Sequence, residues 1–409
     1  MKHSILFVDD EPNILQGLKR LLRPMHDQWD MLFAGSGQEA LDLLAKQEVH
    51  AIVSDMRMPG MDGSELLRQV FLKYPEVIRF ALSGYSSHEK DSRLTAPTHQ
   101  FLMKPCDGKI LVEALERALA ARSFVPNTTI LKKLMSLENL PVLPMVYSQI
   151  TTELNQGDPS PKRIGEIVAK DVGLSANILK LVNSSFFGLR QHVATPQQAV
   201  IILGTSVIRS AIISLHIFQT FERMHCGQFS FQMLWNHCIR ASAIGRAIAV
   251  AEGMGRGEAD DACTATLLHD VGKLLLCATC GEECAQVLEE VRRSNRRVSD
   301  VEREQLGMTH AEIGAYLLGL WGLPEAVVQA IANHHSQSPQ SQGRSIEDVV
   351  YFANVIDHRM FVFNEQYAKP TLDPTRLQNI GGMGKLAQWE QAVMGLNLGQ
   401  EGDASRMGG

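Results

Sequence analysis

Short apolar runs alternate with amphipathic helical patterns over the first 123 residues of the chain. The runs lie at residues 5–8, 51–53, 80–82 and 101–103. Between them, apolar residues recur every three or four positions, which is the period of a helix with one buried face. Because strands that alternate with helices pair in parallel through right-handed crossovers, the pattern predicts a doubly wound α/β domain over residues 1–123.

From about residue 130 to 362 the pattern is helical only, without the two-residue alternation of a half-buried strand. Long apolar-rich helices are predicted at 207–221, 231–251, 262–277 and 313–320. We therefore predict an all-helical domain over 139–365, joined to the first domain by a linker at 124–138. Residues 366–409 are predicted to form a C-terminal extension with a Gly-rich, disordered end.

Composition limits the partners and the compartment. The 409 residues carry a formal net charge of −6, so a broad nucleic-acid surface is not expected. The chain shows no secretory signal and no long apolar span, and its seven cysteines lack the spacing of a disulfide framework. These features predict a cytoplasmic protein that works without a membrane or a nucleic acid.

Chemically useful side chains follow the apolar runs of the first domain. Asp9 and Asp10 come after the first run, Asp55 after the second, Ser83 after the third and Lys104 after the fourth. Because the carboxyl ends of parallel strands meet at one edge of a sheet, we expect these groups to lie together. Carboxylates suit Mg²⁺, while a hydroxyl and an ammonium suit phosphoryl oxygens. The set predicts a site where Asp55 accepts a phosphoryl group.

In the order of these residues, the first 120 or so positions resemble a response regulator receiver domain. The resemblance implies a flavodoxin-like sheet of five parallel strands and phosphorylation of the acceptor by a sensor histidine kinase. It implies that Mg²⁺ binds to Asp9, Asp10, Asp55 and the backbone carbonyl of Arg57. It also implies a switch formed by Ser83, Phe101, Lys104 and Pro105, and a homodimer on phosphorylation. The stretch 86–97 departs from the family pattern, because it is polar and poorly periodic, and predicts a short or irregular fourth helix.

The helical region contains a second group of candidate residues around Leu267-Leu-His-Asp-Val-Gly-Lys273. Adjacent helical residues point about 100° apart, so His269 and Asp270 reach one metal ion only where helices cross. Imidazoles mixed with carboxylates favour Fe, Mn, Zn or Ni over Mg or Ca. Lys273 is a candidate catalytic residue, since a cation stabilises a nearby phosphate. The candidate metal ligands are His237, His269, Asp270, His310, His334, His335 and Asp357.

The His-Asp-Val-Gly-Lys segment resembles the HD superfamily of metal-dependent phosphohydrolases, and residues 135–340 resemble one branch of it, the HDOD domain. The HDOD resemblance rests on segments that occur in the family's order, at 171–175, 181–188, 199–204, 314–324 and 334–335. HDOD domains are generally regulatory modules without catalysis, yet this chain keeps the ligand residues of the HD-GYP branch. It lacks that branch's Gly-Tyr-Pro loop for cyclic di-GMP, because residues 336–344 hold neither a tyrosine nor an acidic motif.

Two output mechanisms therefore stay open. In the first, which we predict, phosphorylation of Asp55 changes how the helical domain recruits a downstream protein partner. In the second, the alternative, the helical domain is a metal-dependent phosphohydrolase that acts on a cyclic dinucleotide or a related phosphoester. The two differ in whether the candidate ligands form a metal centre or only pack together.

Overall fold

A computed structural model of the chain describes residues 2–84, 98–104, 106–125, 127–137, 140–141, 143–154, 160–183, 192–222, 229–336, 345–361 and 372–394. The backbone separates into two compact units. One contains residues 1–148 with 316–323, and the other contains 149–315 with 324–409. The sheet belongs to the first unit, and the described residues of the second unit are helical or irregular.

The first unit is built on a five-stranded parallel sheet. The strands are β1 (His3–Val8), β2 (Trp29–Ala34), β3 (Ala51–Asp55), β4 (Ile78–Gly84) and β5 (Gln100–Lys104). Their order is β2-β1-β3-β4-β5, and each neighbouring pair is parallel. The predicted doubly wound α/β domain with five parallel strands is confirmed. Its strands are apolar because helical crossovers cover a parallel sheet on both faces.

The helices of the first unit are α1 (Pro12–Leu21), α2 (Gly37–Leu44), α3 (Gly63–Lys73), α4 (Gly108–Ala121) and α5 (Thr128–Met135). Three of them, α2, α3 and α4, begin at a residue whose side chain caps them. The side chains of Ser36, Asp62 and Asp107 each accept a hydrogen bond from a backbone amide in the first turn of the helix that follows. The short or irregular helix predicted at 86–97 lies outside the described residues.

Helix α5 lies within 124–138, the segment that the sequence predicted as a linker. Asn127 caps it, because its side chain accepts hydrogen bonds from the amides of Thr129 and Ile130. Leu134 and Met135 are fully buried. The predicted linker is therefore partly helical and packed.

The remaining helices follow one another without a strand in the described ranges. They are α6 (Met145–Leu154), α7 (Pro161–Ala169), α8 (Val172–Val182), α9 (Pro196–Leu203), α10 (Thr205–Phe221), α11 (Phe231–Ala251), α12 (Arg256–Leu268), α13 (Val271–Thr279), α14 (Gly281–Ser294), α15 (Val298–Leu306), α16 (His310–Leu320), α17 (Glu325–Asn333), α18 (Ile346–Met360), α19 (Pro374–Asn379) and α20 (Met383–Met394). No single helix of the described residues is long and apolar enough to cross a bilayer, although α9 and α10 together pass that test as a pair bent by 119°.

The sequence predicted one helix over 262–277, and this prediction is wrong. Helix α12 ends at Leu268 and α13 begins at Val271, with His269 and Asp270 between them. The backbone angles of Asp270, φ −104° and ψ 4°, lie outside the α-helical range. Apolar residues continue across the break, so periodicity alone could not reveal it. The break frees His269 and Asp270 from the fixed offset of adjacent helical residues.

The predicted C-terminal extension contributes to the core of the helical unit. Leu386, Trp389 and Val393 of α20 lie in one buried cluster with Phe352 of α18. The indole Nε1 of Trp389 donates a hydrogen bond to the carboxylate of Glu252 over 2.9 Å. The end of the extension that was predicted to be disordered, residues 395–409, lies outside the described residues.

Candidate functional site

The carboxyl edge of the sheet brings the first set of predicted residues together. Asp55 is the last residue of β3 and pairs in register with Leu82 of β4. One position further along β4, Ser83 pairs with Met103, and the next pair joins Gly84 to Lys104 at the end of β5. This register places Asp55, the backbone of Ser83 and Lys104 on neighbouring strands at one edge.

Lys104 joins the carboxylates of this edge. Its Nζ lies 2.5 Å from Oδ1 of Asp55 and 2.9 Å from Oδ2 of Asp9. The backbone amide of Arg57 donates to the other oxygen of Asp55 over 2.9 Å. Partial burial opposes the charge of Lys104, but hydrogen bonds to Asp55 and Asp9 and their charges leave its pKa raised. Lys104 thus joins the side chains of Asp9 and Asp55 at this edge of the sheet.

Of the other predicted receiver residues, the structure describes Phe101 and Asp10 in full, but not the side chain of Ser83 or any part of Pro105. Phe101 is buried among the residues that pack against the sheet, and Asp10 is half-buried beside Asp9. The side chain of Ser83 and the whole of Pro105 lie outside the described part of the chain. The predicted roles of Ser83 and Pro105 therefore stay predictions.

The helical unit brings six of the seven candidate metal ligands into one cluster. Potential ligand atoms form two groups that share Asp270, and the atoms of each group lie within 4.8 Å of one another. We call Asp270, His310, His334 and His335 the histidine-rich half. We call His237, His269 and Asp270 the lysine half, because Lys273 contacts it. His335 is partly exposed, and the other members are buried.

Two histidines of the cluster terminate helices. His269 is the C-cap of α12, and His334 is the C-cap of α17. Nδ1 of His269 lies 2.7 Å from the carbonyl oxygen of Thr266, and Nδ1 of His334 lies 2.6 Å from that of Ile331. A carbonyl oxygen only accepts, so Nδ1 carries the proton, and in the neutral ring Nε2 keeps its lone pair. Both Nε2 atoms belong to the cluster.

Two further histidines are oriented by carboxylates. Nδ1 of His237 lies 2.6 Å from Oδ2 of Asp357, and Nδ1 of His310 lies 2.7 Å from Oε2 of Glu302. Their Nε2 atoms lie 3.5 Å and 3.3 Å from the two oxygens of Asp270. A carboxylate behind a histidine is the arrangement that orients metal-binding imidazoles and raises their basicity.

Two atoms at the centre lack a hydrogen bond. Oδ1 of Asp270 and Nε2 of His334 are buried and have no hydrogen-bond partner within the described part of the chain. They lie 3.6 Å apart. Buried polar atoms are normally satisfied, because an unsatisfied one retains its full desolvation cost. An acceptor oxygen and a lone-pair nitrogen at this separation fit a shared cation.

The pKa shifts of the cluster residues favour a bound cation at this position. Burial lowers the pKa of His269, His334 and His335, so these rings are neutral at neutral pH. Burial also opposes ionisation of Asp270, but the nearby His269 and Lys273 hold its pKa well below the usual value. His310 differs, because the Glu302 charge overcomes burial and raises its pKa.

Two cations also lie at the lysine half. Nζ of Lys273 lies 2.5 Å from Oδ2 of Asp270, which is the N-cap residue of α13 three positions earlier in the chain. Arg240 donates to both oxygens of Asp357, over 2.7 Å and 3.1 Å. The structure therefore places Asp357 between Arg240 and Nδ1 of His237, outside the inner ring of ligand atoms, where it orients the histidine.

The helix break depends on a close backbone contact. A β-carbon on Gly272 would overlap the carbonyl oxygen of His310 and lie 2.8 Å from the amide nitrogen of Gly314. The start of α13 therefore packs directly on the first turn of α16. This contact holds Asp270, two residues before Gly272, beside His310.

Sequence reasoning missed four residues of the site: Arg240, Glu302, Thr266 and His358. The ring of His358 lies 4.6 Å from that of His237, tilted by 35°, and burial lowers the pKa of His358 to about 3. Arg240 follows His237 by three positions on α11, so helical spacing could have suggested it. Glu302 lies on α15, and nothing local in the sequence links it to His310.

Comparisons with known proteins identify one family for the N-terminal part of the chain and another for its helical part. Residues 5–116 match the family model of the response regulator receiver domain, and residues 140–337 match that of the HDOD domain. An uncharacterized protein of Treponema pallidum (strain Nichols) is 25% identical over 221 residues, which are 54% of this chain and 42% of that protein. The chain spans less than half the length of the first curated relatives it matches.

Two solved structures are similar to parts of the chain. An HDOD domain protein of Geobacter sulfurreducens is 24% identical and covers 69% of this chain and 89% of its own, with a TM-score of 0.49. The receiver domain of an HD domain-containing protein from Pseudomonas fluorescens Pf-5 is 33% identical. It covers 30% of this chain and 98% of its own, with a TM-score of 0.28.

The glycine contact predicts a stability difference between two alanine variants. Gly272→Ala should lower the free energy of unfolding by about 1–3 kcal/mol, because the added carbon forces α13 away from α16. Gly257→Ala is the matched control, since Gly257 is also the second residue of its helix and has open space around its β position. It should change stability by less than about 1 kcal/mol. Chemical denaturation followed by circular dichroism measures both, and equal stabilities would contradict the packing described.

Proposed function

The chain joins an N-terminal response regulator receiver domain to a C-terminal HDOD domain, and from that premise we propose that it is a phosphorylation-controlled metal-dependent phosphohydrolase. A sensor histidine kinase phosphorylates Asp55 in the cytoplasm, and the phosphoryl group controls the output of the helical domain. The observation that carries the enzymatic output is the pair of buried, unsatisfied atoms on Asp270 and His334 at the centre of five histidines.

The receiver half of the proposal is supported by the carboxyl edge of the sheet. Asp55 is held at the end of β3 with Lys104 against one oxygen, where the ammonium can offset the charge of a phosphoryl group. Asp9, Asp10, Asp55 and the Arg57 carbonyl are the proposed Mg²⁺ ligands. When bound, Mg²⁺ would offset the charge that gathers on this edge during phosphoryl transfer.

The helical half is supported by the chemistry of the donor set. Imidazoles grouped around one carboxylate fit Fe, Mn, Zn or Ni better than Mg or Ca. The ligands we propose are the six inner residues: His237, His269, Asp270, His310, His334 and His335. When bound, divalent ions supply Lewis-acid stabilisation of the charge that develops on a phosphoryl group during hydrolysis.

The chain's own residues would hold the substrate. Lys273 and Arg240 bring positive charge to the cluster, and each exposes about a tenth of its side chain, while His335 is partly exposed. Such a site suits an anionic phosphoester. We propose a cyclic dinucleotide or a related phosphodiester as the substrate class.

Recruitment of a downstream protein is the second candidate output. Large apolar side chains are exposed on the helical unit, with Val172 82% and Ile201 62% accessible. Apolar side chains of this kind can contact a partner. This output needs no metal, and therefore metal content and hydrolysis separate the two candidates.

The receiver assignment predicts that phosphorylation depends on Asp55. The wild-type chain should take up a phosphoryl group from acetyl phosphate with Mg²⁺, while Asp55→Asn should take up none, because an amide is a poor nucleophile for this step. Asp30→Asn, which changes an exposed aspartate of β2, is the control and should behave as wild type. Phosphate-affinity electrophoresis measures the uptake, and equal uptake by Asp55→Asn would refute the assignment.

The metal centre predicts that metal content and hydrolysis are lost together. Wild-type chain from metal-replete expression should carry divalent transition metal by elemental analysis and hydrolyse bis(p-nitrophenyl) phosphate. Asp270→Asn should lose both, because the shared carboxylate loses its charge and one metal-binding oxygen. Asp261→Asn is the control, since this residue lies on α12 outside the cluster. A metal-free, inactive wild type would leave protein recruitment as the output.

A further inference from the structure

The two halves of the cluster differ in the charges around them. In the histidine-rich half, Oδ1 of Asp270 faces Nε2 of His310 and of His334 over 3.3 Å and 3.6 Å. The carboxylate of Glu302 accepts from both Nδ1 and the backbone amide of His310. The charged group that lies beside the four ligands of this half is therefore the Glu302 carboxylate, and its negative charge favours a bound cation.

The lysine half has positive charge instead. Nζ of Lys273 already occupies Oδ2 of Asp270 at 2.5 Å. His237 and His269 lie 3.5 Å from that same oxygen, so a metal ion bound by all three would lie beside the ammonium. Two positive charges a few ångströms apart in a buried site repel strongly, because the low local dielectric screens them poorly.

Arg240 removes a further ligand from the lysine half. Its guanidinium holds both oxygens of Asp357, and the same carboxylate accepts from Nδ1 of His237. The lysine half is thus left with three protein ligands, and the histidine-rich half has four. Ligand number and local charge favour the same half.

We propose that the cluster binds two divalent ions in order, the first in the histidine-rich half and the second, more weakly, in the lysine half. Lys273 must leave Oδ2 of Asp270 when the second ion binds. Lys273 is therefore the residue that sets the affinity of the second site. This inference rests on the proposed metal centre and adds an order of loading to it.

Titration of the full-length chain with Co²⁺ tests the order, with the chain freed of transition metal and kept in excess Mg²⁺ so that the proposed receiver site is already filled. Equilibrium dialysis counts bound ions, and visible absorption reports the ligands around each ion. Wild type should bind one equivalent and then a second at least about tenfold more weakly. His334→Ala should remove the tight step. Lys273→Met keeps a long apolar side chain without the charge, and it should tighten the second step by about tenfold and leave the first unchanged.

Arg293→Met is the matched control, because Arg293 pairs with Glu290 three residues away on an exposed helix face. It should titrate as wild type, and circular dichroism should show native helix content in every variant. Two equal steps in wild type would overturn the order but leave the metal centre in place. An unchanged second step in Lys273→Met would overturn the role of the lysine. A wild type that binds no Co²⁺ would instead refute the proposed metal centre.

Discussion

The hydrogen bond on the outer nitrogen, Nδ1, of four of the five histidines is the constraint on which the helical site depends. His269 and His334 bond to carbonyl oxygens at the ends of their own helices, and His237 and His310 bond to Asp357 and Glu302. Each bond fixes the ring and directs Nε2 toward Asp270. Without these bonds the rings could rotate, and the cluster would have no defined donor set.

The break between α12 and α13 also helps to bring His269 and Asp270 to the other histidines. A continuous helix would point His269 and Asp270 about 100° apart, so that both could face the other histidines only where helices cross. Ending α12 at Leu268 lets His269 act as a C-cap while Asp270 turns toward α16 and α17. Gly272 then permits the direct contact of α13 with α16. The packing of α13 on α16 and the position of Asp270 therefore depend on the same glycine, since a side chain at Gly272 would disturb both.

Sequence predicted the receiver better than the helical site, for physical reasons. The short apolar runs predict the strands, and the register of the strands places Asp55 and Lys104 at one edge of the sheet. The runs were therefore sufficient to predict the site. The candidate ligands of the helical unit come from several helices far apart in the chain. The sequence motifs indicated which residues they are, but not how the helices bring them together. Sequence reasoning missed the break at His269 and Asp270 because apolar residues lie on both sides of it. It also missed Glu302 and Arg240, whose roles depend on tertiary packing.

X-ray absorption of the Zn²⁺-loaded full-length chain tests the central claim most directly, namely that the helical cluster is a metal centre. The account predicts nitrogen and oxygen ligands at about 2.0–2.1 Å with the outer-shell scattering of several imidazoles, as expected for histidine-bound zinc. The His334→Ala variant should show fewer imidazoles. A spectrum with water oxygens and no imidazole scattering in the wild type would contradict the account.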